Sequence, residues 1–96
     1  MPIDERTSIR LADVFSALSD PSRLSMISAL LEREMSVGEI AAATHLSESA
    51  VSHQLRGLRH MHLVRPRKQG RQVFYRLDDD HVAQLFRMGL DHVVHG

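Results

Sequence analysis

The sequence predicts one mainly α-helical domain with a small β-hairpin, in the order four helices, two strands and a final helix. Apolar residues recur at helical spacing up to residue 62 and again after residue 80, whereas residues 63–77 alternate as strands do. The length of 96 residues suits a single hydrophobic core over residues 1–96. With 43% hydrophobic and 25% charged residues, the composition is that of a folded domain.

The first two helices follow from an apolar stripe and a start signal. One face of residues 5–18 carries four apolar residues at helical spacing: Ile9, Ala12, Phe15 and Leu18. Asp20 followed by Pro21 provides an N-cap carboxylate and a proline at the first helical position. The second helix is therefore predicted to begin at Pro21 and to end near Arg33.

The third and fourth helices are predicted from their caps. Ser36 and Glu39 have the spacing of a capping box and open a short helix that stops near residues 44–46. Ser47 caps the next helix. This pair of helices joined by a short turn is typical of a helix-turn-helix.

The fourth helix has two distinct faces. The core face consists of Val51, Leu55 and Leu58. Another face presents small hydrogen-bonding side chains with one arginine: Ser49, Ser52, His53 and Arg56. This second face suits the reading of base edges in a DNA major groove.

A hairpin follows the fourth helix. Two strand-like runs, residues 63–67 and 71–77, flank Lys68, Gln69 and Gly70, and the glycine supplies the positive φ of a tight connection. A hairpin placed directly after a helix-turn-helix is a wing, so the predicted architecture is a winged helix-turn-helix.

Charge is distributed unevenly along the chain, although the formal net charge is zero. Residues 49–76 contain seven of the twelve Lys and Arg residues and no Asp or Glu. The reading helix and the wing both lie in this basic segment, which therefore predicts binding to the phosphates of DNA.

The last helix carries a stripe of histidines. Asp78, Asp79 and Asp80 favour a helix start, and the helix is predicted to run to about residue 94. One face holds His81, Leu85, Met88, His92 and His95. Because His81 lies roughly 16 Å from His92 along the axis, one helix cannot bring all three histidines to one ion.

Two chains packed antiparallel about a two-fold axis would bring them together. His81 of one protomer, with Asp79 turned inward, then lies beside His92 and His95 of the other, which gives two identical interprotomer sites per dimer. Leu85 and Met88 would form the dry centre of this seam, and Gly89 would let the two helices approach closely. A domain of this size without cysteine gains from a dimer that extends its core.

Three imidazoles and one carboxylate suit tetrahedral Zn(II), or Co(II) in its place, whereas octahedral Ni(II) would need two more ligands. The absence of cysteine excludes thiolate metal sites. The backbone carbonyl of His62 is a candidate acceptor for the free N–H of a ligating histidine. His45 is predicted to lie at a helix end, and His60 is predicted to be exposed.

The residues resemble the ArsR/SmtB family of winged-helix bacterial metal-responsive repressors over nearly the whole chain. The resemblance is carried by LSDPSRL at residues 18–24, LSESAVSHQL at 46–55 and GRQVFYRL at 70–77. It implies a homodimer formed through the first and last helices. The metal-free dimer binds operator DNA and represses genes for metal export or sequestration, and metal binding releases the dimer from the operator. The pattern D-x-H-x10-H-x2-H of the zinc- and cobalt-sensing subgroup matches Asp79, His81, His92 and His95.

The predicted DNA contacts combine the reading helix with the wing. By the same resemblance, Gln54 joins Ser49, Ser52 and His53 at the major groove, and residues 68–71 form the wing tip. The full set is Ser47, Ser49, Ser52, His53, Gln54, Arg56, Arg67, Lys68, Gln69 and Arg71.

Two alternatives to a metal-responsive repressor remain. A metal hydrolase would need an open position for water, which a four-ligand site lacks. A winged-helix regulator with a non-metal effector would use the histidines only structurally. No apolar run of membrane-spanning length and no signal-peptide layout occurs, so we expect no membrane partner and a cytoplasmic location, at the nucleoid when bound to DNA.

Overall fold

Five helices and three short strands make up the chain, which a computed structural model describes over residues 2–96. In chain order they are α1 (Glu5–Ala17), α2 (Pro21–Leu30), β1 (Met35–Ser36), α3 (Val37–Thr44), α4 (Glu48–His60), β2 (Val64–Gln69), β3 (Gln72–Leu77) and α5 (Asp80–His95). All seven predicted elements are present in the predicted order. Strand β1 was not predicted.

The predicted helix starts are confirmed by their caps. The Asp20 carboxylate accepts a hydrogen bond from the Arg23 backbone N–H at 3.0 Å. Ser36 and Glu39 form the reciprocal capping box, with bonds of 3.2 and 2.9 Å. Ser47 accepts from the backbone N–H at the third helical position of α4 at 3.0 Å. Each bond satisfies an N–H that the first turn of a helix leaves unpaired.

The sheet is antiparallel, with the strand order β1-β3-β2. β2 and β3 form the predicted hairpin, with Gln69 opposite Gln72 and Gly70 at φ 62°. Met35 pairs with Tyr75, so the chain must already be extended at residue 35. Helix α2 consequently ends at Leu30 rather than near Arg33 as predicted.

The hydrophobic core lies where α2, α3 and α4 meet the hairpin. The predicted core face of α4 is confirmed, since Val51, Leu55 and Leu58 are all buried. By contrast, α1 contributes only Ala17 and α5 only Val82 to the set of buried residues. Both outer helices therefore leave large apolar side chains on the surface. Within residues 2–96, no helix has both the length and the hydropathy needed to cross a bilayer.

Candidate DNA-binding surface and metal ligands

The predicted reading face of α4 is open to solvent. Ser49, Ser52, His53 and Arg56 are all exposed on the side of the helix opposite its buried stripe. Ser47 is also exposed, but its hydroxyl is engaged in capping α4. This face therefore offers hydroxyl, imidazole and guanidinium groups that can approach the edges of bases.

Gln54 differs from the other predicted major-groove residues. It is half-buried, and its Oε1 accepts a hydrogen bond from the Nε of Arg23 at 2.7 Å. Arg23 lies on α2 and also donates from Nη1 to the carbonyl of Ala17 at 3.2 Å. The side-chain oxygen of Gln54 thus holds an arginine of α2.

The wing has a paired arginine, Arg67, within strand β2 and exposed cations at its tip. The Arg67 guanidinium forms an ion pair with Glu34, with Nε 2.9 Å from Oε1. It also donates to Gln69 Oε1 at 2.9 Å and lies 5.3 Å from the centre of the Phe74 ring. The hydrogen bond from Arg67 lowers the pKa of the Glu34 carboxyl, and the reverse effect raises the pKa of Arg67.

These contacts divide the predicted wing residues into two groups. The charge of Arg67 is balanced within the protein, and Gln69 is bonded to it. Lys68 and Arg71 are exposed, and within residues 2–96 neither forms an ion pair. Of the predicted wing residues, Lys68 and Arg71 are therefore the cations available to a phosphate.

The four predicted metal ligands lie in two pairs at opposite ends of α5. Asp79 caps the helix by accepting from the Val82 backbone N–H through Oδ1 at 3.2 Å. Its Oδ2 lies 3.4 Å from His81 Nδ1, so this carboxylate and imidazole are adjacent. His92 and His95 lie one turn apart in the last turns of the helix, and both are exposed.

A single chain does not complete the site. Among residues 2–96, no group of three or more His, Cys, Asp or Glu side chains is arranged to hold a metal ion. The two pairs lie at opposite ends of the 16-residue helix α5, so within one chain they are too far apart to share one ion. Asp91 is a further carboxylate at the C-terminal end of α5 that was not among the predicted ligands, and its Oδ1 lies 3.9 Å from His95 Nε2.

The predicted seam residues lie on an apolar surface. Leu85, Met88 and Gly89 line a groove of about 800 Å³, together with residues of α1 and α2 that include Phe15, Leu18 and Leu24. Met88 is 72% exposed, and Phe15 is 50% exposed. The groove thus has walls from both helices of the expected dimer interface, the first and the last, and its α2 side was not predicted.

The remaining histidines lie outside the metal set. His45 ends α3 in the left-handed region at φ 61°, which confirms its predicted place at a helix end. His60 is exposed, as predicted. His62 has φ 60° at the junction between α4 and β2, and its backbone N–H donates to the carbonyl of Arg59 at 3.0 Å. The role of the His62 carbonyl stays a prediction.

Comparisons with known proteins agree with this architecture. The family model described as bacterial regulatory protein, arsR family, matches residues 20–65. The transcriptional repressor SmtB homolog of Synechocystis is 54% identical over 84 residues, which cover 88% of this chain and 64% of that protein. The chain thus spans less than two thirds of the length of that relative.

Two mycobacterial proteins extend the comparison over almost the whole chain. The HTH-type transcriptional regulator NmtR of Mycobacterium tuberculosis is 39% identical over 94 residues, covering 98% of this chain and 78% of that protein. The solution structure of the homodimeric winged helix-turn-helix DNA-binding domain Mb0332 from Mycobacterium bovis matches with a TM-score of 0.84 at 29% identity, covering 99% of this chain and 94% of that one. With its winged helix-turn-helix fold and these relatives, the chain belongs to the ArsR family of bacterial transcription regulators, which are DNA-binding proteins and not enzymes.

Proposed function

We propose that the chain is a metal-responsive transcriptional repressor. Its metal-free homodimer binds operator DNA, and Zn(II) or Co(II) lowers that affinity and so derepresses genes for metal efflux or sequestration. The observation that carries this proposal is the arrangement of α5, where two pairs of exposed ligands flank an exposed apolar surface. Such a repressor acts in the cytoplasm, on chromosomal DNA.

DNA binding rests on α4 and the wing. The exposed face of α4 carries groups that can read bases, and Lys68 and Arg71 can neutralise phosphates. In a two-fold dimer the two α4 helices must enter successive major grooves about 34 Å apart. The homodimeric state of Mb0332 supports such an assembly for this chain.

The metal half of the proposal rests on the donor set. Asp79 uses one oxygen to cap α5, which leaves its other oxygen beside His81. If α5 packs antiparallel to its copy, His92 and His95 of the partner subunit meet this pair, and each site gains one carboxylate and three imidazoles. A metal bound there would link the two protomers and fix their relative orientation.

A second candidate function is a nickel sensor. Octahedral Ni(II) needs more than four ligands, and Asp91 next to His95 supplies a further carboxylate at the same end of α5. The geometry of bound Co(II), read from its optical spectrum, separates the two functions.

The first test is a titration of the protein with Co(II), followed by optical absorption. The second measures whether zinc releases a fluorescent DNA duplex, which is first selected from a random pool by its binding to the metal-free protein. We expect tetrahedral d–d bands that saturate at one ion per protomer and release of the duplex. His92→Gln should still dimerise and bind the duplex but should lose the zinc response. His45→Asn is the matched control, because it removes an exposed imidazole from another helix end and asparagine tolerates the left-handed backbone there.

Each other outcome changes a specific part of the proposal. If zinc still releases the duplex from His92→Gln, the assignment of the metal ligands is overturned. Weak octahedral bands favour the nickel sensor. Failure of the wild-type chain to bind any of these metals would leave a DNA-binding regulator with a non-metal effector.

A further inference from the structure

A basic cleft lies beside α4, on the side that faces α2. It has a volume of about 670 Å³. Its lining consists of Arg23, His53, Gln54, Arg56, Gly57, Arg59, His60 and His62. It contains three arginines and no carboxylate. The cleft is continuous with the reading face, because His53 and Arg56 belong to both.

Arg23 is held in a fixed position at this cleft. Its Nε donates to Gln54 Oε1 and its Nη1 donates to the Ala17 carbonyl, at 2.7 and 3.2 Å. Among residues 2–96 it forms no ion pair, and its Nη2 makes no hydrogen bond. An arginine with its position already fixed loses little side-chain entropy when it binds an oxyanion.

Arg59 adds a free charge to the same cleft. It is exposed and forms no ion pair within the described part of the chain. Two carboxylates lie near this region: Asp13 of α1 lines an adjoining depression with Arg23 and His60, and Asp20 accepts from the Arg23 backbone N–H at 3.0 Å, against the three arginines of the cleft. The cleft thus retains an excess of positive charge next to the surface that meets DNA.

We propose that this cleft binds a backbone phosphate of duplex DNA, with Arg23 and Arg59 as phosphate-binding residues. Gln54 then acts as a positioning residue for Arg23 and does not read a base. The inference rests on the proposed DNA-binding function and adds a phosphate contact from α2 to those of α4 and the wing. None of the residues that line the cleft is Phe, Tyr or Trp, the large rings that form base-stacking platforms, which favours the backbone of a duplex over a free nucleotide.

The test measures binding of the metal-free protein to a fluorescein-labelled 30-base-pair duplex of arbitrary sequence, by anisotropy across a range of NaCl concentrations. Phosphate contacts do not depend on sequence, and each one lost should reduce the slope of log K against log[NaCl] by about 0.9 per protomer. Arg23→Gln and Arg59→Gln should each show this reduction and bind roughly tenfold more weakly per half-site. Arg87→Gln is the control, because it removes an exposed arginine from α5, away from the cleft.

The outcomes separate this inference from the proposed function. If wild-type protein does not bind duplex DNA, the proposed function itself fails. If wild-type protein binds the duplex but Arg23→Gln and Arg59→Gln show the same slope of log K against log[NaCl] as Arg87→Gln, the phosphate site is refuted and the proposed DNA-binding function stands. Arg59→Gln protects the test against misfolding, since within residues 2–96 the Arg59 side chain makes no hydrogen bond or ion pair that the substitution would remove. Circular dichroism checks that Arg23→Gln is folded.

Discussion

Replacing Met88 by Gln should weaken the proposed homodimer strongly. Met88 is 72% exposed in the single chain and lines the apolar groove between α1, α2 and α5. Burying a whole Met side chain is worth about 1.5–3 kcal/mol, so burying its exposed part in a dimer contributes about 1–2 kcal/mol per copy. Glutamine has similar length and helix propensity, so the change mainly removes apolar burial.

The effect doubles because a two-fold seam contains both copies of the residue. The expected loss is about 2–4 kcal/mol per dimer, which raises the dimer dissociation constant roughly 30- to 700-fold. Sedimentation equilibrium of the metal-free protein over a range of concentrations measures this constant directly.

The matched control is Val94→Gln. Val94 is also an exposed apolar residue of α5, at 62%, but it does not line the groove. We expect its dimer to remain close to wild type. If Met88→Gln dimerises as tightly as wild type, or if both variants weaken the dimer equally, the groove is not the seam.

Two further predictions concern the wing. Arg71→Ala should weaken binding to every duplex sequence and lower the salt slope by about 0.9 per protomer, and an unchanged slope in the same titration would exclude a phosphate contact by Arg71. Glu34→Gln should be less stable than wild type at pH 7, and the difference should shrink as the pH falls. The pKa of Glu34 is lowered from its ordinary 4.5, so its ion pair with Arg67 contributes fully above pH 4.5 and is lost as pH falls through the lower folded-state pKa. Thermal unfolding of wild type and Glu34→Gln at pH 7 and pH 3 measures this difference in stability. A difference in unfolding temperature that is the same at both pH values would contradict the prediction.

The helices could be predicted because their signals are local. Asp20 with Pro21, the pair Ser36 and Glu39, and Ser47 each act within one turn of helix, so their spacing in the sequence fixes their geometry. Strand β1 is different, since only two residues pair with Tyr75 and Phe74 some forty positions away. A two-residue strand has no periodicity of its own, and its existence depends on the position of its partner strand.

Long-range contacts also explain which partners of the predicted DNA-binding residues the sequence could not show. The DNA contact of Arg67 stays a prediction, and the fold also pairs Arg67 with Glu34, which lies 33 positions earlier in the chain. The place of Gln54 at the major groove likewise stays a prediction, and Gln54 also bonds to Arg23 at a separation of 31 residues. No pattern within α4 or the wing reveals either partner. Asp79 and His81 were predictable as a pair because they are two residues apart at a helix start.

The contacts around the start of α5 bear on how a metal signal could reach DNA. The backbone N–H of Asp78 donates to the carbonyl of Leu63 at 3.0 Å, and the N–H of Leu63 donates to the carbonyl of Leu58 at 2.9 Å. Leu58 and Leu63 are both buried in the core, as is Val82 one turn into α5. The end of α4, the start of β2 and the start of α5 are thus tied by hydrogen bonds and close packing. Because packed cores resist continuous deformation, a metal at Asp79 and His81 would reorient this unit as a whole. In the proposed dimer, the spacing between the two reading helices would then change through rotation of one protomer against the other.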